Sequence, residues 1–430
     1  MTFPISSKTR LLIRQAIGYA LGKIIVSEVT ATKDSSSLWD TYGLAKGGTN
    51  EYNGRQVQIN VPVGSIAAGE KSFVSSFDAT NKDATMSPAF SAALTDGDTY
   101  EMWQDYTIEE VNNKINQAII GATDDILLDK EDHSLIKLEN IYEYTIPTGF
   151  VAIDQIEYEY SKGIYHLLSD CEVVWTAGTS VTATADATFE KVGTYCAKFV
   201  VAAGAASGAT LCYKDISEVD ISDCDKVDFW MYSSIAITAG QLQFMLGATA
   251  AIASPLETID IPAMSAGTFY RHSISLANPH SDTAIISIGV RQASGVDVGA
   301  FTFYLDEVET VKDNSRIYRM LSPDFWTIVQ ASTNLLKLDE NGYSKVGNNR
   351  LLRLTGYQVP AEISADTTSC DIDPDYVIAK TVGLLLVSRA GGSQVDPDEK
   401  FRQANFWLGI AETRLRQGRT PLRMNTRWVS

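Results

Sequence analysis

Between Ser169 and Thr310 the sequence carries seven short runs of alternating character: TYCAKFVVA, ATLCYKDI, KVDFWMYSS, GQLQFMLGA, TFYRHSISL, AIISIGVR and FTFYLDEVETV. A two-residue period puts alternate side chains on opposite faces of a strand. No apolar pattern of helical period runs for three turns inside this span. The expectation is an antiparallel β-sandwich over 169–310, built from strands that satisfy one another. Helical signals lie on both sides, so the sandwich reads as an insertion whose ends should lie close together.

The first helical signal starts at Ser6 or Ser7 as cap and runs to about Ile25, with Leu11, Ile13, Ile17, Ala20, Leu21 and Ile24 near a 3.6-residue period. Gly-rich turns and the runs QVQINV and KSFVSSF predict a small β unit at about 27–100. Thr107 and Glu110 have capping-box spacing and open a second helix with an apolar stripe of Ile108, Val111, Ile115, Ala118 and Ile119. Asp373 with Pro374 and Asp396 with Pro397 open two more, predicting a helical hairpin with Gly391 and Gly392 between them. Pro421 stops the last helix. The chain is 430 residues long, which at about 150 residues per domain makes it multi-domain. The fold class is mixed α and β: a helical core that begins with residues 1–168, an inserted β-sandwich (jelly roll) at 169–310, a continuation of the helical core at 311–417, and an extended tail at 418–430.

Charge is unevenly spread. The net charge is -18, yet Lys8, Arg10, Arg14 and Lys23 stand without an acid in the first 26 residues. From Lys400 onward, seven basic residues face Glu412 alone, whereas 169–310 holds 17 acids and 6 bases. An average surface this acidic argues against a free nucleic-acid binder. The N-terminus lacks a signal-peptide pattern and no segment has the apolar length of a membrane span, so the expectation is a soluble, unexported chain without a membrane partner.

No motif for catalysis stands out. His133, His166, His272 and His280 occur in no metal-ligand spacing, and nucleotide-binding and nucleophile-elbow motifs are absent. The five cysteines form no CxxC pair and read as reduced, buried thiols. In DIDPDY, Asp373 reads as a helix cap rather than a metal ligand. The reading is non-enzymatic, with no cofactor. The sandwich aromatics Trp175, Tyr195, Tyr213, Trp230, Tyr232, Phe244, Phe269, Tyr270, Phe301, Phe303 and Tyr304 could stack on sugars, but alternation sends about half of them into the core.

Two resemblances sharpen these expectations. ATFEKVGTYCAKF, ISDCDKVDFWMYSS and FTFYLDEVETV resemble a carbohydrate-binding-module type of jelly roll. That resemblance implies a structural calcium held by Glu190 and Asp306, with a glycan as ligand. The flanks, including GRQVQINVPVGSIAAGEKSFVSSF, IEEVNNKINQAI and the two C-terminal helices, resemble the head-to-tail adaptor (connector, neck) proteins of tailed bacteriophages. This second resemblance implies a virion protein, made in the host cytoplasm, that forms a homo-oligomeric and typically dodecameric ring at the head-to-tail junction. Its partners would be the portal protein, a downstream neck or tail protein, and double-stranded DNA passing without specific binding. Arg419, Arg423, Asn425, Arg427 and Trp428 would form the portal interface, supplying bidentate donors and one aromatic anchor. The alternative function is host-glycan binding through the sandwich.

Overall fold

The computed structural model describes residues 7–330, 333–389, 397–420 and 426–429. They form a mixed α/β, multi-domain structure with several sheets, divided into two compact units. Unit 1 contains residues 1–130, 149–152 and 357–424; unit 2 contains 131–148, 153–356 and 425–430.

Unit 1 begins with α1 (Arg10–Leu21), whose cap is Thr9 rather than Ser6 or Ser7; the Thr9 side chain accepts from the Leu12 amide. The helix stops four residues before Ile25 because Gly22 adopts φ 65°, which lets its amide bond back onto the last carbonyls. The next residues form β1 (Ile24–Glu28), followed by β2 (Ser37–Trp39), β3 (Gln56–Val61), β4 (Lys71–Asp78), β5 (Asp83–Ser87) and β6 (Thr99–Trp103). These six strands make one antiparallel sheet in the order β1-β6-β3-β4-β5-β2. Then α2 (Ile108–Ile120) starts where the capping box predicts: the Thr107 side chain accepts from the Glu110 amide, and the apolar stripe is buried.

Unit 2 is built of strands. Those of its two-sheet region are β10 (Tyr165–Ser169), β11 (Thr176–Ala177), β12 (Val181–Asp186), β13 (Cys196–Val201), β14 (Thr210–Val219), β15 (Lys226–Ser233), β16 (Leu242–Gly247), β17 (Pro255–Asp260), β18 (Phe269–Ser275), β19 (Ile285–Gln292) and β20 (Phe301–Val311). One sheet runs β12-β13-β20-β15-β18 with β10 on β20; the other runs β11-β14-β19-β16-β17. All seven alternating runs form strands here. Their inner faces share one core, in which Phe229 stacks on Phe244 across the two sheets with centroids 5.0 Å apart. The ends of the region do lie together, since Ser169 pairs with Val308.

The preceding and following residues do not return to helix. β7 (Leu128–Lys137), β8 (Glu143–Thr145) and β9 (Ala152–Ser161) precede the two-sheet region; β21 (Ile317–Met320), β22 (Trp326–Val329), β23 (Leu335–Leu338), the short α3 (Glu340–Lys345) and β24 (Arg350–Gln358) follow it. They give two further sheets, β21-β9-β24-β7 and β22-β23-β8. The assignment of 311–417 to the helical core is therefore corrected for its first half. Runs such as LLKL and RLLRLTGYQ alternate with period two and bury one side, so they fold as strands.

Helix resumes at α4 (Pro374–Ser388), capped by Asp373, whose side chain accepts from the Asp375 amide. α5 (Pro397–Gly418) packs on it closely enough that a Cβ on Gly383 would stand 2.7 Å from Leu408. Asp396, Gly391 and Gly392 lie outside the described residues. A last short strand, β25 (Arg427–Trp428), pairs with β9 in unit 2. None of the described helices is long and apolar enough to cross a membrane.

Most of the described bases at the two sequence ends form ion pairs. Lys8 pairs with Asp375, Arg10 with Asp366, Arg14 with Glu101 and Asp366, and Lys23 with Asp105. Arg402, Arg414, Arg416 and Arg419 pair with Glu399, Asp373 and Asp375, Glu412, and Asp125. Arg14 is fully buried and bonds both oxygens of Asp366 at 2.7 and 2.8 Å. Burial opposes ionisation of Asp366, but Arg14 and Arg10 outweigh it and hold the carboxyl well below its usual range.

Candidate functional site

The outward face of the β12-β13-β20-β15-β18 sheet follows from strand alternation. Phe303 and Leu305 of β20, Phe229 and Met231 of β15, and Phe199 of β13 point into the core. Their neighbours Tyr304, Asp306, Trp230, Tyr232 and Lys198 therefore point the other way, with Phe269 and Arg271 of β18 beside them.

This face has two unlike ends. At one, Phe189, Tyr232, Phe269 and Tyr304 form an aromatic cluster. Centroids lie 5.3 Å apart for Phe189–Tyr232 and Tyr232–Phe269, and 4.9 Å apart for Phe189–Tyr304. Phe189 is 37% exposed and Tyr232 and Phe269 are half-buried, while Tyr304 forms the floor. Lys191 stands 4.8 Å over the Phe269 ring, and Lys198, paired with Asp186 at 2.9 Å, stands 5.4 Å over Tyr304. The cluster thus offers apolar ring faces flanked by charged donors and an acceptor.

At the other end the same face is charged and closed. Asp228 of β15 accepts from Arg316 at 2.5 Å and from Arg271 at 3.0 Å; Glu309 of β20 accepts from Arg271 at 3.2 Å and from Lys162 at 2.6 Å. Arg316 also bonds Glu159 of β9. Trp230 donates to Asn349 at 3.2 Å. These side chains are almost wholly buried, so each charge depends on its partner.

Asp306 sits between the two ends. Its Oδ2 accepts from the Lys191 and Val192 amides at 2.7 and 3.0 Å, while Oδ1 is buried without a partner. Burial raises its pKa to about 6, against the lowering effect of those amides. Asp186 accepts from the Thr188 amide and Glu172 from the Thr194 amide, so three carboxylates pin the loop that carries Phe189. Gly193 is required here: its φ is 81° and a Cβ would approach Glu172 Oε1 to 1.8 Å.

This arrangement bears on the pair Glu190 and Asp306. Glu190 is exposed, and among the described residues neither acid belongs to a group of three ligating side chains. Calcium needs six to eight oxygens, and amide hydrogens already occupy one oxygen of Asp306. Oδ1 of Asp306 is the oxygen left buried without a partner, and the acid that joins Asp306 in holding the loop is Glu172.

Of the aromatics that the sequence marks, Trp175, Phe244, Phe301 and Phe303 are core, and Tyr232, Phe269 and Tyr304 make the cluster. Phe189 was missed, because it lies in a loop where alternation gives no signal. Of the five tail residues, Arg419, Arg427 and Trp428 are described. Arg419 pairs with Asp125, and Arg427 donates to the carbonyls of Trp326 and Pro323. Trp428 is 50% exposed, whereas Val429 is buried. Arg423 and Asn425 lie outside the described residues.

No protein-family model matches the chain, and no curated protein does. Several solved structures are similar to a portion of it. The family 11 carbohydrate-binding module of the cellulosomal cellulase Lic26A-Cel5E of Clostridium thermocellum has 13% identity and a TM-score of 0.26, covering 35% of this chain and 96% of the module. The CBM22-1 xylan-binding domain of Paenibacillus barcinonensis Xyn10C has 13% identity and a TM-score of 0.25, with 35% and 96% covered. A CBM29-2 variant complexed with mannohexaose has 8% identity and a TM-score of 0.21, with 34% and 91% covered. Likeness at this level assigns no role; the geometry of the face has to do so.

Proposed function

We propose that this chain is a non-enzymatic glycan-binding protein whose site is the aromatic end of the outward sheet face. The observation that supports this most is the set of three partly exposed rings, Tyr232 and Phe269 on the sheet and Phe189 on the loop pinned beside it, with Lys191, Lys198 and Asp186 around them. Ring faces take up the apolar C–H faces of a pyranose, and the flanking groups exchange hydrogen bonds with its hydroxyls. Pinning of the Phe189 loop by Asp306, Asp186 and Glu172 reduces the ordering that binding would otherwise require. The test is retention of the purified chain in gels containing soluble polysaccharides, followed by calorimetry on any that retard it. Tyr232→Ala and Phe269→Ala should each weaken binding about tenfold, equivalent to about 1.4 kcal/mol, with an unchanged circular-dichroism spectrum. Retention that both variants preserve would dismiss the site.

A second reading, the ring-forming connector with a helical adaptor core and an inserted jelly roll, is favoured by one feature of unit 1. α5 buries only Ala404 and Ala411 fully and leaves Phe401 and Phe406 exposed at 47% and 65%. A homo-oligomeric ring in a virion would cover such a face, and Trp428 would remain for a portal contact. Light scattering on the purified chain separates the readings: a ring mass that Phe406→Glu abolishes supports the connector, and a monomer of either sequence removes it.

A further inference from the structure

His166 lies on β10 opposite Thr310 of β20, at a strand edge away from the aromatic cluster. The turn joining β14 to β15 brings Asp223 and Cys224 against it. His166 Nε2 is 2.9 Å from Asp223 Oδ1, and the Cys224 Sγ is 3.5 Å from that same oxygen. All three donor atoms lie within 4.8 Å of one another, although His166 and Asp223 are 57 residues apart in sequence. The turn is set by the Cys224 amide on the Ile221 carbonyl at 2.9 Å and by the Ser222 amide on Asp220 Oδ1 at 3.0 Å. Against the thiol lies the Thr310 hydroxyl, wholly buried and without a hydrogen-bond partner of normal geometry.

We propose that His166, Asp223 and Cys224 form a binding site for a divalent transition-metal ion of the zinc class, with a fourth position open to water or to the exposed Asp220. Zinc bonds of about 2.0–2.3 Å in a tetrahedron separate the ligand atoms by about 3.3–3.8 Å. The Asp223–Cys224 separation of 3.5 Å already fits and the His166–Asp223 separation of 2.9 Å needs a few tenths of an ångström of spreading, while His166 and Cys224, within 4.8 Å, would close onto the ion. The donor types select the metal: imidazole nitrogen and sulfur favour zinc or cobalt over calcium or magnesium, which take oxygen. His166 and Asp223 are 30% and 47% exposed, so an ion has a route in from solvent, while Cys224 closes the inner side. Ligation replaces the thiol hydrogen with the metal, and that proton leaves to solvent. Burial holds the free thiol at about 12, so without an ion the group stays an inert S–H.

The full chain, stripped with chelator and titrated with cobalt(II), tests the site. One equivalent should bind, giving a thiolate-to-cobalt charge-transfer band in the near ultraviolet and strong visible bands of a tetrahedral centre, both bleached by zinc. Cys224→Ser should lose the near-ultraviolet band. His166→Ala and Asp223→Asn, on partly exposed positions that leave the core intact, should each weaken cobalt binding at least tenfold. The other four cysteines are buried and free, so they serve as internal controls. Absence of a thiolate band in the unaltered chain, or a band that persists in Cys224→Ser, overturns the proposal and leaves a hydrogen-bonded His–Asp pair beside a buried thiol. Should Cys224→Ser fail to fold, cobalt affinity unchanged in His166→Ala overturns it as well.

Discussion

The two ends of one sheet face make opposite use of the same strands. β15 and β20 carry Tyr232 and Tyr304 at one end and Asp228 and Glu309 at the other. The aromatic end remains partly open, with rings that pack on one another and lie under two lysines. The charged end is closed by Lys162, Arg316 and Glu159, which come from outside the two-sheet region. A rigid, open, apolar surface suits a ligand, whereas a buried ion network ties the two-sheet region to the strands before and after it. The face is thus divided between an open apolar end and a closed, attached one.

The largest expected effect comes from breaking the attachment. Removal of 169–310 with a short linker would strand Arg316, Lys162 and Glu159 without Asp228 and Glu309, so soluble protein should be lost despite the adjacent ends. A well-folded deletion product would show the charged end to be incidental. Arg316→Ala asks the same question with one side chain. Leaving Glu159 and Asp228 buried and unpaired should cost about 3–5 kcal/mol. Melting should then fall by roughly 10 °C, at about 2–4 °C per kcal/mol for a unit of this size.

Asp306 joins the two ends, and its variants separate them. Asp306→Ala releases the Lys191 and Val192 amides and frees the Phe189 loop, so glycan binding should fall with only a moderate loss in melting temperature, measured by calorimetry on both counts. Asp306→Asn keeps an acceptor for those amides and changes only the titration. The folded carboxyl holds its proton up to about pH 6, whereas the unfolded one releases it near 3.8. The folded state therefore binds more protons between these values, and this group's contribution to stability falls as pH rises through that window. Melting temperature measured from pH 4 to 6 should decline less in Asp306→Asn than in the unaltered chain; parallel profiles would mean that another group titrates. The smallest effect concerns calcium: a melting temperature raised in calcium over chelator would support Glu190 and Asp306 as ligands, and coinciding values would remove them.

The tail extends the same contrast between free and fastened surface. Beyond Gln417, Thr420 bonds Leu127 in both directions and Arg427 stacks on Trp326 at 4.4 Å. Truncation after Gln417 should lower the melting temperature measurably.

Local signals were legible where a residue acts on its near neighbours. Period-two runs gave every strand from β13 to β16 and from β18 to β20, and Thr107 and Asp373 cap helices because a cap concerns an amide two or three residues away. Alternation also implied that about half of the sandwich aromatics would face outward, without saying that Tyr232, Phe269 and Tyr304 would meet there. It could not tell which face is covered, because that depends on Arg316, Glu159 and Asn349 arriving from distant segments. Charge followed the same rule. The sequence determined the basic ends and an acidic middle, but only tertiary structure brought Asp366 to Arg10 and Arg14, and Asp125 to Arg419. Electrostatic interaction depends on distance in space, and a folded chain sets that distance through its packing rather than its order.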